Sequence, residues 1–148
     1  MNVYVAGKFE EKELVRTVQR TLLERGHTIT HDWTGEDATG MEGEQLEEYL
    51  ADNASRDVDG VAAAEAVLIL NHPKGFGMMA EMGMAIAWNI PIYVIGPQIR
   101  DCIFFHLPEV QGFDTIEDAL EKMEADQIER DQAPWDDSLG EEEYDDGE

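Results

Sequence analysis

Three nearly unbroken apolar runs, Val3–Ala6, Ala66–Leu70 and Ile90–Ile95, most constrain what this chain can fold into. A strand with one wet face alternates apolar and polar residues, so runs that do not alternate belong to strands covered on both faces. Segments of helical length separate them. Glu10–Arg25 carries Leu14, Val15, Val18, Leu22 and Leu23 at helical spacing, and Gly26 follows as a stop. Glu44–Ala64 is expected to be helical with a break near Asp52–Ser55, and Met78–Trp88 to form a further helix. Thr28–Thr30 and Gly112–Phe113 supply two short strands. Asp114 is placed to cap a last helix from Thr115 to about Ala125, with Glu117 at its third position. The alternation predicts an α/β sandwich of three layers with a five-stranded parallel sheet at its centre. Ligands in such sheets sit beyond the carboxyl ends of the strands. That gathers Gly7–Phe9, His31–Trp33 and Asn71–Glu81 at one rim.

Charge narrows the partners. The 148 residues hold 34 acids against 10 lysines and arginines, a formal charge of −24. Phosphate contacts need clustered positive charge, so nucleic-acid and anionic membrane surfaces are excluded as expected partners. No apolar run reaches the roughly 18 residues of a membrane span. Met1–Val5 reads straight into a strand without a secretory pattern, and Cys102 is the one cysteine, so a cytoplasmic location is expected. Between Asp126 and Glu148 lie eleven acids and one arginine, with Pro134, Gly140 and Gly147. This stretch is expected to be a disordered, solvated tail behind a domain of residues 1–125. Its Trp135, Leu139 and Tyr144 are candidates for docking on a partner. The body remains acidic without it, which fits either salt adaptation or solubility.

Two carboxylates stand out as chemistry. Glu81 lies inside Phe76-Gly77-Met78-Met79-Ala80-Glu81-Met82-Gly83-Met84-Ala85, where burial is costly unless the group is paired or used. Placed in the first turn of its helix, its ionised form would be favoured by the helix dipole. The plain alternative is a helix cap or a solvent-facing acid. Asp57 lies ten residues before Val67, on the helix that enters the central strand; beside Asp59, it is alternatively a helix-surface acid.

Several segments together resemble the nucleoside 2-deoxyribosyltransferases and the related 2'-deoxynucleoside 5'-monophosphate N-glycosidases. They are Val3-Tyr4-Val5-Ala6-Gly7, then Ser55-Arg56-Asp57 with Ala64–Leu70, then Gly77–Ala87 with Ile90–Val94. The resemblance implies a flavodoxin-like or Rossmann-like sheet and an enzyme acting at an N-glycosidic bond. It implies that Glu81 attacks the anomeric carbon of a 2-deoxyribose and expels the base, while Asp57 binds or protonates that base. Tyr4 would hydrogen-bond Glu81 from the first strand, or else simply pack there. Transfer to a second base is the expected outcome, with hydrolysis of a monophosphate, or non-catalytic nucleotide binding, as alternatives. Lys8 replaces a proline common in the family, and Gly75 stands where monophosphate-acting members carry a hydroxyl. The family also completes its site with a neighbouring subunit's C-terminal residue, which implies a homo-oligomer.

Around these, Gly7, Lys74, Gly75 and Gly77 are expected to bind substrate, the last three through a charge and backbone N–H groups near a helix start. Asp32 and Trp33 follow the second strand; the indole can stack on a base or cover the core edge. Met78, Met79, Met82 and Met84, Trp88, and Phe104–Leu107 are candidate packing or subunit surfaces. His27, His31, His72 and His106 show no ligand spacing with Cys102, so no metal is expected, and no cofactor motif is present.

Overall fold

The computed structural model describes residues 1–97 and 102–133. Five strands form one parallel sheet: β1 (Asn2–Ala6), β2 (Thr28–Ile29), β3 (Ala66–Leu70), β4 (Ile92–Ile95) and β5 (Val110–Phe113), in the order β2-β1-β3-β4-β5. This is the α/β, flavodoxin-like arrangement expected from the apolar runs. Every residue of β3 and β4 is buried, as two-sided cover requires. The register sets Tyr4 of β1 beside Val67 and Val67 beside Ile92. Chain direction reverses its progress between β1 and β3, which leaves a crevice above their carboxyl ends.

Four helices cover the sheet: α1 (Lys12–Glu24), α2 (Gly43–Ala62), α3 (Phe76–Ala87) and α4 (Ile116–Gln132). α1 packs on β1 and β2, α4 on β4 and β5, and α2 and α3 pack on each other. Of the apolar pattern in α1, Val15, Val18 and Leu22 are buried, whereas Leu14 and Leu23 face solvent. α2 runs without the expected break at Asp52–Ser55: Asn53 is buried on its inner face and takes a hydrogen bond from Arg56 Nη1 at 3.1 Å. The last helix is capped by Thr115, not Asp114, its hydroxyl accepting from the Asp118 N–H at 3.2 Å.

The same helix continues past Ala125 to Gln132. Asp126, where an acidic tail was expected to begin, is instead tied to the body. It accepts from Tyr93 Oη at 2.8 Å and Gln111 Nε2 at 3.1 Å, and pairs with Lys122 at 2.8 Å. Trp135, Leu139 and Tyr144 lie outside the described residues. Among the described residues, no helix is long and apolar enough to cross a membrane.

One charged cluster joins α1, β2 and α4. Arg25 donates to both oxygens of Glu124 at 2.7 and 2.8 Å, and His27 Nε2 lies 2.9 Å from the same carboxylate. The guanidinium's hydrogen bonds hold Glu124 down to about 2, against the cost of partial burial. A depressed folded pKa contributes stability above the unfolded value, and this is lost as pH falls toward about 2. Solvent screens a pair this exposed, so Glu124→Gln should cost about 1 kcal/mol at pH 7. Urea melts should find that difference gone at roughly pH 2.

Candidate active site

α3 begins at Phe76, two residues before the expected start, so Glu81 occupies the second turn rather than the first. The dipole's influence fades within the first turn. Burial therefore decides: Glu81 sits on the inner face with Met78, Met82 and Ala85, and is only 9% exposed. Desolvation, and then the nearby charge of Asp57, push its carboxyl up to about 8. This reverses the expectation of a helix-stabilised carboxylate. Gly77 lies beside the group, a Cβ there falling 4.0 Å from Glu81 Oε1, which is ordinary contact.

Asp57 and Tyr4 converge on the same point from α2 and β1. Burial raises the Asp57 carboxyl, the charge of Glu36 raises it further, and His31 and Tyr4 oppose them. Tyr4 is fully buried, and burial beside two carboxylates raises its phenol strongly. Tyr4 Oη, Asp57 Oδ1 and Glu81 Oε2 are all buried atoms without a conventional hydrogen-bond partner among the described residues. Three such atoms at one place are rare in a folded interior and mark where a polar group can be received. The approach of α2 depends on Gly60: a Cβ there would fall 2.8 Å from His31 Cβ and 3.1 Å from the Tyr4 ring.

Asp57 and Glu81, with Tyr4 buried behind them, open into a cleft of about 370 Å³ whose lining also includes Gly7, Trp33, Lys74, Gly75 and Gly77. A second cleft of about 500 Å³, toward Tyr49, Leu50 and Asn53, shares Phe9, Glu36 and Asp57 with the first. Most of the expected site residues thus meet in one place. Trp33 does so from a buried position, its indole N–H donating to the Val5 carbonyl at 2.8 Å. Gly7 is also a packing requirement, because a Cβ would meet Val15 Cγ2 at 2.8 Å. Asp32 does not join them. Its carboxylate accepts from the Thr34 N–H and hydroxyl at 3.0 and 2.7 Å and faces a groove with Arg16, Gln19 and Arg20.

Six lining residues were not among the expected site residues: Lys8, Phe9, Glu10, Glu36, Phe76 and Met78. Lys8 pairs with Glu10 at 3.6 Å. His31 stands behind them, its Nε2 2.8 Å from Glu36 Oε1 and 3.5 Å from Asp57 Oδ1. These three are the only group among the described residues with metal-ligand atoms within 4.8 Å of one another. At 2.8 Å the imidazole nitrogen is directed at a carboxylate, so the set reads as a hydrogen-bonded chain.

No family model matches the sequence, and no curated protein matches it. Solved structures do. A 2-deoxyribosyltransferase from Bacillus psychrosaccharolyticus superposes with a TM-score of 0.57 at 14% identity, over 80% of this chain and 89% of that one. DNA processing protein A from Helicobacter pylori, described for its single-stranded DNA binding mode, superposes with a TM-score of 0.56 at 13% identity, over 85% and 81%. Identities this low make the likeness one of fold. The second structure overturns the exclusion of nucleic-acid partners drawn from charge, because a chain of this fold is described as binding single-stranded DNA. The physical reason is that single strands are held by local stacking surfaces and a few cations, which net charge does not report.

The raised Glu81 carboxyl has a stability consequence. Its unfolded value is near 4.5 and its folded value about 8, so the native state retains a proton that the unfolded state releases between them. Stability from this group is present at low pH and lost as pH rises through that window. Glu81→Gln should therefore gain stability relative to wild type as pH rises from 5 to 9, on the order of a few kcal/mol. Thermal melts across that range should show a widening gap; a constant gap would contradict the buried-acid assignment.

Proposed function

We propose that this chain cleaves the N-glycosidic bond of a 2'-deoxynucleoside through a covalent intermediate on Glu81 and passes the sugar to a second base. The observation that carries the reading is the buried Glu81 carboxyl group with an unpartnered Oε2, near Asp57 and Tyr4 and lining a substrate-sized cleft. A fold shared with a 2-deoxyribosyltransferase supports it.

The chemistry follows from the pair. A buried carboxyl group and a half-buried one near each other do not both ionise cheaply, so they hold one proton between them around neutral pH. The reactive arrangement places the charge on Glu81 and the proton on Asp57. Glu81 bonds to C1′ as the C1′–N bond breaks, and the Asp57 proton goes to the departing base nitrogen. The oxocarbenium-like charge that develops at C1′ is stabilised by the carboxylate before the bond is complete. The unpartnered Tyr4 hydroxyl is placed to donate to Glu81 once that group is ionised. An incoming base then attacks C1′, the glutamate ester leaves, and the proton lost by that base returns to Asp57. Lys8 and Lys74 put positive charge at the cleft mouth, and Gly75 lacks the hydroxyl expected of a monophosphate site. With water as acceptor, the same steps are hydrolysis.

Chromatography of products from deoxynucleosides, with and without a second free base, separates transfer from hydrolysis. Glu81→Ala should lower base release by about 10³-fold or more, roughly 4 kcal/mol of barrier. Asp57→Asn should lower it by about 10²- to 10⁴-fold. Activity should fall at alkaline pH as the pair, both of whose members are shifted upward, loses its last proton. Full activity in Glu81→Ala would dismiss the mechanism. Nucleotide or oligonucleotide retention without base release would favour a binding module.

A further inference from the structure

The Glu36–His31–Asp57 chain has a geometry that the two-carboxylate mechanism does not use. A single ring nitrogen, His31 Nε2, lies between two carboxylates, 2.8 Å from Glu36 Oε1 and 3.5 Å from Asp57 Oδ1. One nitrogen carries at most one hydrogen. The shorter contact has hydrogen-bond geometry, and Asp57 Oδ1 is left buried without a hydrogen bond. An unpartnered buried oxygen is tolerable on a protonated acid and costly on a carboxylate.

We propose that His31 and Glu36 are positioning residues for Asp57. Glu36 holds the imidazole N–H while Asp57 carries the proton destined for the leaving base, and the N–H turns to Asp57 once that proton has gone. The proton count is unchanged at His31: its hydrogen changes acceptor, while the catalytic proton moves from Asp57 to the base and back from the acceptor. The backbone favours this arrangement. His31 follows β2, Asp57 and Gly60 lie one turn apart on α2, and Gly60 lets His31 and Tyr4 reach that face. Glu36 also lines the cleft, so the chain ends at solvent-accessible space.

The groups facing Asp57 are Tyr4 from β1, His31 and Glu36 from the loop between β2 and α2, and Glu81 from α3. Lys8, Glu10 and Lys74 lie across the same cleft. Of these, Glu36 raises the Asp57 carboxyl and His31 lowers it. Removing them should therefore act in opposite directions, which a loop that merely holds shape would not produce.

This inference rests on Asp57 as the acid of the proposed reaction, so it is tested with and without substrate. In pH profiles of base release, Glu36→Gln should move the alkaline limb to lower pH, and His31→Ala should move it to higher pH. Each should reduce kcat at pH 7 about tenfold with KM little changed, less than the loss of the acid itself. His31→Gln, which keeps an N–H donor, should return the limb toward wild type. Carbon-13 NMR titration of labelled aspartate, assigned to Asp57 through Asp57→Asn, should show the same opposed shifts in protein alone. If no deoxynucleoside releases its base, the enzymatic reading falls while the titration still tests the coupling. Shifts in one direction for both variants, or none, in samples with unchanged circular dichroism, would overturn the proposal.

Discussion

Holding Glu81 inside the apolar face of α3 is the constraint on which the rest of the site depends. It shares the inner face of that helix with buried Met78, Met82 and Ala85 and meets open space only at the cleft it lines. In that environment an isolated carboxylate keeps its proton. The charge of Asp57 on α2 reinforces this, and Tyr4 on β1 opposes it by offering a hydroxyl. The two helices meet on the same face of the sheet, so their packing sets the separation of the carboxylates. Gly60 matters for the same reason, since a side chain there would alter the approach of α2.

The layered fold was legible because it depends on long, unambiguous patterns. Ala66–Leu70 and Ile92–Ile95 have no polar residue to place in water, and a strand of that kind has few homes other than the middle of a parallel sheet. Boundaries were less legible. α4 overran its expected end because Asp126, an acid in an acidic stretch, finds Tyr93, Gln111 and Lys122 through tertiary contact. α2 stayed whole through Asp52–Ser55 for a similar reason, with Asn53 satisfied by its own helix. Local propensity is a weak prior against such contacts.

At the site, composition identified Glu81, because a lone acid in an apolar helix is conspicuous. Its ionisation was misjudged, because that turns on where α3 begins and on how close Asp57 comes. A two-residue error in the helix start moved the carboxylate out of reach of the helix dipole. His31 was visible as a histidine in a polar loop, yet nothing in the order of residues links it to Glu36 and Asp57. Periodicity does not reach into a loop, and the link is made only when β2 lies beside β1. Asp32 shows the opposite error: adjacent to Trp33 in sequence, it turns back onto Thr34 and leaves the cleft.

The charge of −24 also means something different at the cleft than it does in the composition. Between exposed groups, salt screens charge over roughly 8 Å at physiological ionic strength, so distant acids contribute little to what a ligand meets. Inside the cleft, each ionised carboxylate makes the next harder to ionise, and both Asp57 and Glu81 are shifted toward their neutral forms. The count of acids therefore overstates the negative charge there. Lys8 and Lys74 reduce it further, while Glu10 offsets part of Lys8. A surface that repels polyanions at long range thus encloses a site close to neutral. This is why net charge limits the rate and range of encounter more than it limits the chemistry of what binds.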